Sequence, residues 1–320
     1  MAYEARDLLF VGSDESRSLM KHSSFIDNNA LVFEVKFGCQ TSLSGLFKTQ
    51  LEDGILGMSD EEGSFWNQMF EAKKITKKQF SLCFSHQPTV DRDGTLAGAI
   101  TFGGRDEKLS SMPLVYAKNF KIDGFYAIKL RKLMFWKKGR GILSADLLMK
   151  ENIQTLNITS KTLNAGGVIV DSGTTDTYLN YEIRDEFYRI WKDLAGVEYH
   201  NSEVSLTKKE FKSLPTILFQ IEGEKKANKA LGNDPNSIPG LAGNIDKEHP
   251  HDILVAVPPS NFMEYDPNRK TYSARVLVNE PDGSVLGANF MMGHDVLFDV
   301  DNNRLGITES DCDSTYLFTT

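Results

Sequence analysis

The residues best suited to chemistry lie in one short stretch, where an apolar run ends at a carboxylate. Val168-Ile169-Val170 is followed by Asp171 and by the small residues Ser172-Gly173-Thr174-Thr175. Three β-branched residues in succession favour a strand buried on both faces, and Gly173 allows a tight turn directly after it. The hydroxyl groups and backbone amides of the turn can hydrogen-bond to a carboxylate. The pattern predicts a carboxylate fixed at a strand end, although Asp-Ser-Gly is also a frequent turn sequence.

The longer string, apolar residues followed by Asp-Ser-Gly-Thr-Thr, resembles the active-site loop of the pepsin-like aspartic peptidases. Other segments resemble landmarks of that family, in the same order, along nearly the whole chain. Ahead of Asp171 these are Phe37-Gly38-Cys39, residues 53–57, Phe80-Ser81-Leu82-Cys83 and residues 100–104. After Asp171 they are residues 214–217, 285–290, 296–299 and 304–307. So many landmarks in this order are hard to obtain by chance.

The resemblance implies a mostly β, bilobal pepsin-like acid protease fold with an incomplete N-terminal lobe. Residues 1–118 would form the remainder of the N-terminal lobe. Residues 119–320 would form the complete C-terminal lobe, which carries the Asp-Ser-Gly-Thr-Thr loop. Composition fits two such cores, since the 320 residues are 40% hydrophobic.

The same resemblance assigns roles to the residues of the loop. Asp171 would be a catalytic aspartate. The residues implied to contact the substrate are Gly173, Thr174 and Thr175. Thr174 would also brace the loop through hydrogen bonds to its counterpart in the other lobe.

The two lobes are unequally represented in the sequence. In the family, each lobe supplies an Asp-Thr/Ser-Gly loop, and a later apolar-apolar-Gly strand threads through that loop. The C-terminal part has both elements, in Asp171–Gly173 and Val285-Leu286-Gly287. The N-terminal part has only Ile55-Leu56-Gly57, because Met1–Leu8 resembles the strand that follows the flap. The first catalytic aspartate and the flap tyrosine are therefore expected to lie outside these residues.

No other aspartate has the surroundings of a catalytic one. Asp14 has neither an apolar strand before it nor a glycine after it. Asp93 and Asp123 belong to Asp-Gly dipeptides, which are ordinary turn sequences. Asp53 belongs to the expected threading strand and is interpreted as structural rather than catalytic.

The resemblance implies hydrolysis of peptide bonds by an aspartic-type endopeptidase. The single Asp-Ser-Gly loop matters for this reaction, which needs two aspartates. Two carboxylates held close together share one proton, so that one activates water while the other polarises the scissile carbonyl. Loss of a general acid typically costs about a hundredfold to ten-thousandfold in rate. We therefore expect the chain by itself to have little or no peptidase activity.

Two alternatives remain open from the sequence. The chain can be a noncatalytic peptide- or protein-binding member of the same fold, which would need no second aspartate. Alternatively, a dimer can supply a second copy of Asp171, but this would strand the apolar segments of the first lobe in water. A monomer is the expected state.

Charge and composition restrict the partners. The net charge of −8 disfavours a nucleic-acid partner, whose phosphates would be repelled. The longest uninterrupted aliphatic run, Ile253–Val257, is far shorter than the roughly twenty residues that span a bilayer.

Basic residues cluster between Lys129 and Arg140, and their alternation with apolar ones predicts a solvated strand face. A polypeptide substrate is expected, with no metal or organic cofactor, and the resemblance implies the secretory pathway, the exterior or an acidic vacuole or lysosome.

Three cysteines leave one thiol over whichever pair forms. Cys39 and Cys83 fall in the same expected lobe and can either bridge or remain as buried thiols. Cys312 resembles a cysteine that family members often bridge to one ahead of the second active-site loop. The corresponding segment, residues 155–167, contains no cysteine.

Local patterns predict a few helices and one long loop. Apolar spacing indicates a short helix after Ser64 and a longer one that ends at Gly196, and Thr207 with Glu210 forms a capping box. The segment from Glu222 to Pro250 is rich in Gly, Asn, Lys and Pro and predicts an exposed insertion loop. It contains His249-Pro250-His251, a pair able to bind zinc, but spacing suggests no third ligand.

Overall fold

A computed structural model of the chain describes residues 2–11, 32–42, 44–48, 54–86, 97–110, 112–137 and 152–313. The residues discussed above that lie outside the described ones are Asp14, Asp53, Asp93 and, at the end of the basic cluster, Arg140. Strands predominate over helices, which confirms the mostly β prediction. In the ranges described, no helix is long and apolar enough to cross a membrane. The chain divides into two compact units, Met1–Gln79 and Phe80–Thr320.

The first unit is a two-stranded hairpin with a helix packed against it. Its elements are β1 (Ala2–Phe10), β2 (Val32–Gln40), a 3-10 turn (Gly45–Lys48) and α1 (Phe65–Glu71). The rings of Phe33 and Phe65 join β2 to α1, with centroids 5.6 Å apart. The Gln68 side chain accepts a hydrogen bond from the Lys36 amide at 2.8 Å and donates to the Lys36 carbonyl at 3.1 Å. The helix predicted after Ser64 is thereby confirmed.

Ile55-Leu56-Gly57, predicted as a threading strand, is not a strand. Its backbone is irregular, and Ile55 and Leu56 are 71% and 51% exposed. A strand is defined by hydrogen-bonding partners at its edges. No described strand pairs with this segment, although the Phe65 amide donates to the Gly57 carbonyl at 2.8 Å.

The remaining strands of the described ranges build four sheets. They are β3 (Gln79–Phe84), β4 (Gly98–Phe102), β5 (Val115–Lys118), β6 (Ala127–Ile128), β7 (Leu130–Trp136), β8 (Ile153–Thr155), β9 (Val168–Val170), β10 (Thr177–Asn180), β11 (Thr216–Ile221), β12 (Ile253–Val257), β13 (Met263–Asp266), β14 (Thr271–Ala274), β15 (Val276–Glu280), β16 (Ser284–Leu286), β17 (His294–Asp299) and β18 (Arg304–Glu309). The orders are β4-β3-β17-β18-β5, β15-β10-β16-β9-β6, β12-β11-β7-β8 and β13-β14.

The division between the units lies ahead of the lobe boundary expected at residues 118 and 119. The reason is visible in the first of these sheets, where β3, β4 and β5 pair with β17 and β18 from near the end of the chain. The lobe assignment of residues 1–118 and 119–320 stays a prediction.

Within the described part of the second unit, six helices and three 3-10 turns connect the strands. They are α2 (Ser160–Leu163), α3 (Arg184–Ala195), α4 (Lys208–Ser213), α5 (Lys225–Ala230), α6 (Pro259–Phe262) and α7 (Ala288–Met291), with 3-10 turns at Glu107–Leu109, Tyr181–Ile183 and Ala242–Asn244. Gly196 ends α3 with a φ of +72°, a conformation that favours glycine. Thr207 and Glu210 form the capping box at α4, as the sequence predicts.

The segment from Glu222 to Pro250 is not an exposed insertion loop, and that prediction was wrong. It contains α5, and its Leu241 and Ala242 are buried. The fully buried Asn228 side chain accepts a hydrogen bond from the Tyr116 amide and donates one to the Tyr116 carbonyl, each at 2.8 Å. Asn228 is one of the polar residues that indicated a loop, and it forms buried hydrogen bonds instead.

Two buried carboxylates hold part of the basic cluster. Arg131 Nε donates to Asp252 at 2.7 Å, and Lys132 Nζ donates to Asp246 at 2.8 Å. Gln220 Nε2 lies 3.0 Å from a carboxylate oxygen of each aspartate. The prediction of a solvated face was therefore wrong for Arg131 and Lys132.

The pKa of Asp246 reflects this network. Burial raises it, but the hydrogen bonds from Lys132, Gln220 and His249 outweigh burial and hold the pKa below its ordinary value. The carboxylate therefore stays ionised in moderately acidic solution, and its ion pair with Lys132 persists there.

A disulfide joins Cys83 in β3 to Cys312 beyond β18, with a sequence separation of 229 residues. The Cα atoms are 5.2 Å apart, and both residues are buried with Leu109. Cys39 is the free thiol. The Cys39–Cys83 bridge left open above is therefore excluded, because Cys83 pairs with Cys312.

Another buried carboxylate, Asp295, lies on β17, in the sheet that contains Cys83. The Asp295 side chain is fully buried, and its oxygen is 3.6 Å from Arg105 Nη1. Burial raises the pKa of Asp295 to about 6, against the lowering effect of Arg105. Its neighbour His294 is also buried, and burial lowers the pKa of that imidazole to about 4. The two groups titrate over the same pH range. As pH rises through it, Asp295 lowers the free energy of unfolding and His294 raises it.

We expect reduction of the disulfide to lower the free energy of unfolding by about 2–4 kcal/mol, because the unfolded chain loses a long-range constraint. Urea unfolding with and without reductant measures this. Cys312→Ser should be as unstable as the reduced protein, and Cys39→Ser should resemble the oxidised parent. Thiol titration of the denatured, unreduced protein should find only Cys39; three reactive thiols would contradict the pairing.

Asp295→Asn should change the pH dependence of stability. The folded state keeps the Asp295 proton where the unfolded chain has lost it, so the free energy of unfolding falls as pH rises through about 4 to 6. Asparagine cannot ionise. The stability of the parent relative to Asp295→Asn should therefore fall by about 3 kcal/mol between about pH 4 and pH 7.

The parent and Asp295→Asn both contain His294. The difference between their free energies of unfolding therefore removes the opposite contribution of His294. Asp123→Asn, at an exposed turn, is the matched control and should show no such change with pH. A stability difference between the parent and Asp295→Asn that stays constant with pH would contradict the prediction.

Candidate active site

Asp171 lies directly after β9, an interior strand of a five-stranded sheet. β9 pairs in parallel with β16, with Val170 opposite Leu286, and antiparallel with β6. The Asp171 amide donates to the Leu286 carbonyl at 3.0 Å, which extends the ladder by one residue. The start of the turn is therefore fixed by a neighbouring strand.

The neighbouring strand passes between the two arms of the turn. β10 follows the turn and pairs antiparallel with β16, with Tyr178 opposite Val285. Beyond β16, the Ala288 amide donates to the Thr174 carbonyl at 2.7 Å. The Asn289 amide donates to the Thr175 carbonyl at 3.1 Å. The segment Val285-Leu286-Gly287 thus threads the turn, as the sequence predicts.

Gly287 makes this close passage sterically feasible. A Cβ atom at this position would lie 2.1 Å from the Asp176 carbonyl oxygen and 2.5 Å from the Thr174 carbonyl oxygen. Both are backbone atoms of the turn region, so neither can rotate away as a side chain would. The threading strand can approach only because residue 287 has no side chain.

Both oxygens of the half-buried Asp171 carboxylate accept hydrogen bonds from within the turn. The Gly173 amide donates to Oδ1 at 2.9 Å, and the Thr174 hydroxyl donates to Oδ2 at 2.6 Å. These bonds fix the orientation of the carboxylate. Each oxygen retains capacity to accept a further hydrogen bond, for example from a water molecule.

The other predicted site residues occupy different positions in the turn. Gly173 and Thr175 are exposed, and Ser172 and Thr174 are half-buried. The Thr174 hydroxyl binds Asp171, whereas the sequence reasoning assigned it hydrogen bonds to a counterpart in another lobe. A carboxylate oxygen three residues away is its partner among the described residues. Contact of Gly173, Thr174 and Thr175 with substrate stays a prediction.

A model of the eukaryotic aspartyl protease family matches residues 26–229. The chain belongs to this family. Among curated proteins it is similar to secreted aspartic protease 6 of Candida albicans, 23% identical over 279 residues, which are 83% of this chain and 52% of the relative. It is also similar to candidapepsin-3 of Candida albicans strain WO-1, 22% identical over 272 residues, 82% of this chain and 53% of the relative. The chain spans about half the length of the curated relatives it matches.

The polar groups that support the Asp171 turn of this aspartyl protease family member are not evident from the sequence. Arg275 binds the buried Asp176 through Nε at 3.1 Å and Nη2 at 3.0 Å. Burial raises the pKa of Asp176, although Arg275 opposes the shift. The Thr177 hydroxyl donates to Asn289 at 2.6 Å, and Asn289 donates to the Arg275 carbonyl at 2.8 Å. These bonds link the turn to the helix that follows the threading strand.

Only one signal in the sequence pointed to this cluster. Asp176 and Asn289 are polar residues that flank strand or helix segments otherwise rich in apolar residues. Such residues, once buried, are expected to be hydrogen-bonded. Their partner Arg275 is 99 positions from Asp176, and local patterns do not predict pairs so far apart.

One group in the described residues has the composition of a metal site. Ligand atoms of Asp246, Glu248 and His249 lie within 4.8 Å of one another. Asp246 Oδ2 already accepts hydrogen bonds from Lys132 and Gln220, and it lies 3.2 Å from His249 Nδ1. The Lys132 ammonium already binds the Asp246 oxygen that a metal ion would need as a ligand. The group therefore fits an internal ion pair better than a metal centre.

Gly287→Ala tests the threading geometry. We expect a loss of about 1–3 kcal/mol in the free energy of unfolding, because the new methyl group meets two backbone carbonyls. Hydrogen exchange at the Ala288 and Asn289 amides should also accelerate, since both bond to the turn. Calorimetry and exchange mass spectrometry measure the two effects.

Gly57→Ala is the matched control. Gly57 ends the other apolar-apolar-Gly segment, and a Cβ atom there would meet nothing within 4 Å. This variant should stay within about 0.5 kcal/mol of the parent. Equal losses in the two variants would contradict a steric role specific to Gly287.

Proposed function

We propose that this chain carries one half of the catalytic dyad of an aspartic endopeptidase, with Asp171 as its acid–base carboxylate. The observation that carries the proposal is the fixed carboxylate of Asp171, held by the Gly173 amide and the Thr174 hydroxyl in a turn threaded by β16. Membership of the eukaryotic aspartyl protease family supports it.

In the proposed mechanism, Asp171 and a second aspartate share one proton and bind one water molecule. The ionised member takes a proton from the water while the protonated member polarises the carbonyl of the scissile peptide bond. Gly173 and Thr174 keep the Asp171 oxygens oriented throughout. The exposed Gly173 and Thr175 are suited to contact the backbone of an extended polypeptide substrate.

The second aspartate is the decisive component for activity. Asp171 is the only aspartate of the 320 residues that is followed by Ser-Gly or Thr-Gly. Asp176, the carboxylate nearest to it in sequence, is already bound by Arg275. We therefore propose that the 320 residues alone hydrolyse peptide bonds slowly or not at all, because no neighbour keeps a proton for the carbonyl.

We also propose passage through the secretory pathway to the exterior or to an acidic compartment such as a vacuole or lysosome. Relatives are named as secreted proteases. The Cys83–Cys312 disulfide supports an oxidising route, since such bonds are rare in reducing compartments. The lowered pKa of Asp246 supports function in acid, because that ion pair survives there.

A noncatalytic peptide-binding protein is the second candidate. The observation that favours it is the single Asp-Ser-Gly sequence, because binding in a groove needs no dyad. Against it stands the complete set of hydrogen bonds that orients Asp171, which a binding protein has no need to keep.

Proteolysis of a denatured, fluorescein-labelled protein at about pH 4 tests the proposal, since the dyad requires one shared proton. The chain should be at least about a hundredfold slower than secreted aspartic protease 6 of Candida albicans, because it lacks the general acid. Any residual cleavage should disappear in Asp171→Asn and persist in Asp123→Asn. Cleavage that is unaffected by Asp171→Asn would contradict the role of Asp171.

Expression of the chain together with the coding sequence that precedes it separates the two candidates. An Asp-Thr-Gly or Asp-Ser-Gly loop there, with turnover that requires Asp171, supports the endopeptidase. A preceding sequence without such a loop would contradict it and favour the binding protein.

A further inference from the structure

The second unit contains a large groove that the proposed reaction does not use. Its volume is about 1570 Å³, and none of the residues 171–175 lines it. It is also larger than the pockets of about 300–1,000 Å³ that typically hold small molecules. The groove therefore has room for an extended segment of polymer.

Lysine is the main charged residue of the groove. The described lysines that line it are Lys108, Lys137, Lys208, Lys209 and Lys212. All of them are exposed, and none forms an ion pair with another described residue. Among the described residues, two acidic ones, Glu309 and Asp311, line the groove with them. A local excess of positive charge thus faces solvent on a chain whose net charge is −8.

Three of these lysines lie on α4, which is firmly anchored. Lys208, Lys209 and Lys212 follow the Thr207–Glu210 capping box, and Phe211 stacks on Tyr272 with ring centroids 5.0 Å apart. Like charges four positions apart on a helix repel each other. The fold thus holds repelling ammonium groups close together, whereas Arg131 and Lys132 are neutralised by buried aspartates.

The floor of the groove is apolar. Its apolar lining residues are buried or half-buried, in contrast to the exposed lysines, and include Leu109, Met112, Leu194, Leu214, Pro258 and Met292. Phe211 is the only Phe, Tyr or Trp among the described lining residues, and Tyr272 covers one of its faces. Single-stranded nucleic acids need aromatic faces on which bases stack, and this groove offers few. An apolar floor with a cationic rim instead matches a peptide that alternates apolar and acidic side chains.

We infer that this groove binds an acidic, extended segment of a polypeptide, with apolar side chains on the floor and carboxylates at the lysines of α4. The carboxylates would relieve the repulsion among Lys208, Lys209 and Lys212. Acidic segments near the surface would also be attracted to this face while the rest of the chain repels them. The inference concerns binding only and does not depend on Asp171.

Fluorescence anisotropy with a fluorescein-labelled peptide of repeated Glu-Leu-Ser units tests the inference. The Asp171→Asn variant is used as the parent, so that cleavage of the peptide cannot change the measured anisotropy. The test therefore remains valid even if the proposed function is wrong. We expect binding that weakens with added salt, and much weaker binding of a Gln-Leu-Ser peptide. Absence of binding by the acidic peptide, or equal binding of the two peptides, would overturn the inference.

A pair of triple variants locates the site. Lys208→Gln, Lys209→Gln and Lys212→Gln together should weaken binding about tenfold, since three exposed ion pairs are lost. The matched control is Lys225→Gln, Lys226→Gln and Lys229→Gln on α5, which has the same spacing, length and charge change and lies outside the groove. It should change the affinity less than about twofold.

Two further outcomes would overturn the inference. Equal weakening by both triple variants would show nonspecific attraction to any lysine-rich helix. Tighter binding of a single-stranded RNA of the same charge would assign the groove to nucleic acid instead. Thermal unfolding of each variant confirms that the fold is retained, since a variant that has lost its fold gives no cooperative transition.

Discussion

The passage of β16 through the Asp171 turn is the constraint on which the rest of the site depends. Three hydrogen bonds join the threading segment to the turn, from the Asp171 amide to Leu286 and from the Ala288 and Asn289 amides to Thr174 and Thr175. They hold the backbone on both sides of the carboxylate. The side chain itself needs only two local bonds, because the backbone is already fixed.

This constraint explains why the two apolar-apolar-Gly segments behave so differently. Leu286 is fully buried because strands lie on both sides of it, whereas Leu56 is 51% exposed in irregular backbone. Their sequences are nearly the same. A segment of this kind becomes a strand when a turn surrounds it, so its conformation is determined by tertiary partners rather than by local propensity.

The sequence allowed the prediction of what depends on local pattern. The strand before Asp171, the threading segment, the capping box at Thr207 and the end of α3 at Gly196 all follow from residues within a few positions of each other. The pairs Cys83–Cys312 and Asp176–Arg275 did not follow, because their members are far apart in sequence. The buried segment around Ala242 was missed for a related reason. Its polar residues find buried partners that only the folded chain provides.

One consequence follows from the sheet that joins β3, β4 and β5 to β17 and β18. During synthesis, the early strands leave the ribosome long before the late strands that lie beside them, so β3 and β5 cannot complete their pairing until β17 and β18 have been made. In the meantime their edges are open to pairing with other chains. The Cys83–Cys312 disulfide, which spans 229 residues, is under the same constraint, because it can form only after residue 312 has been made and brought beside β3.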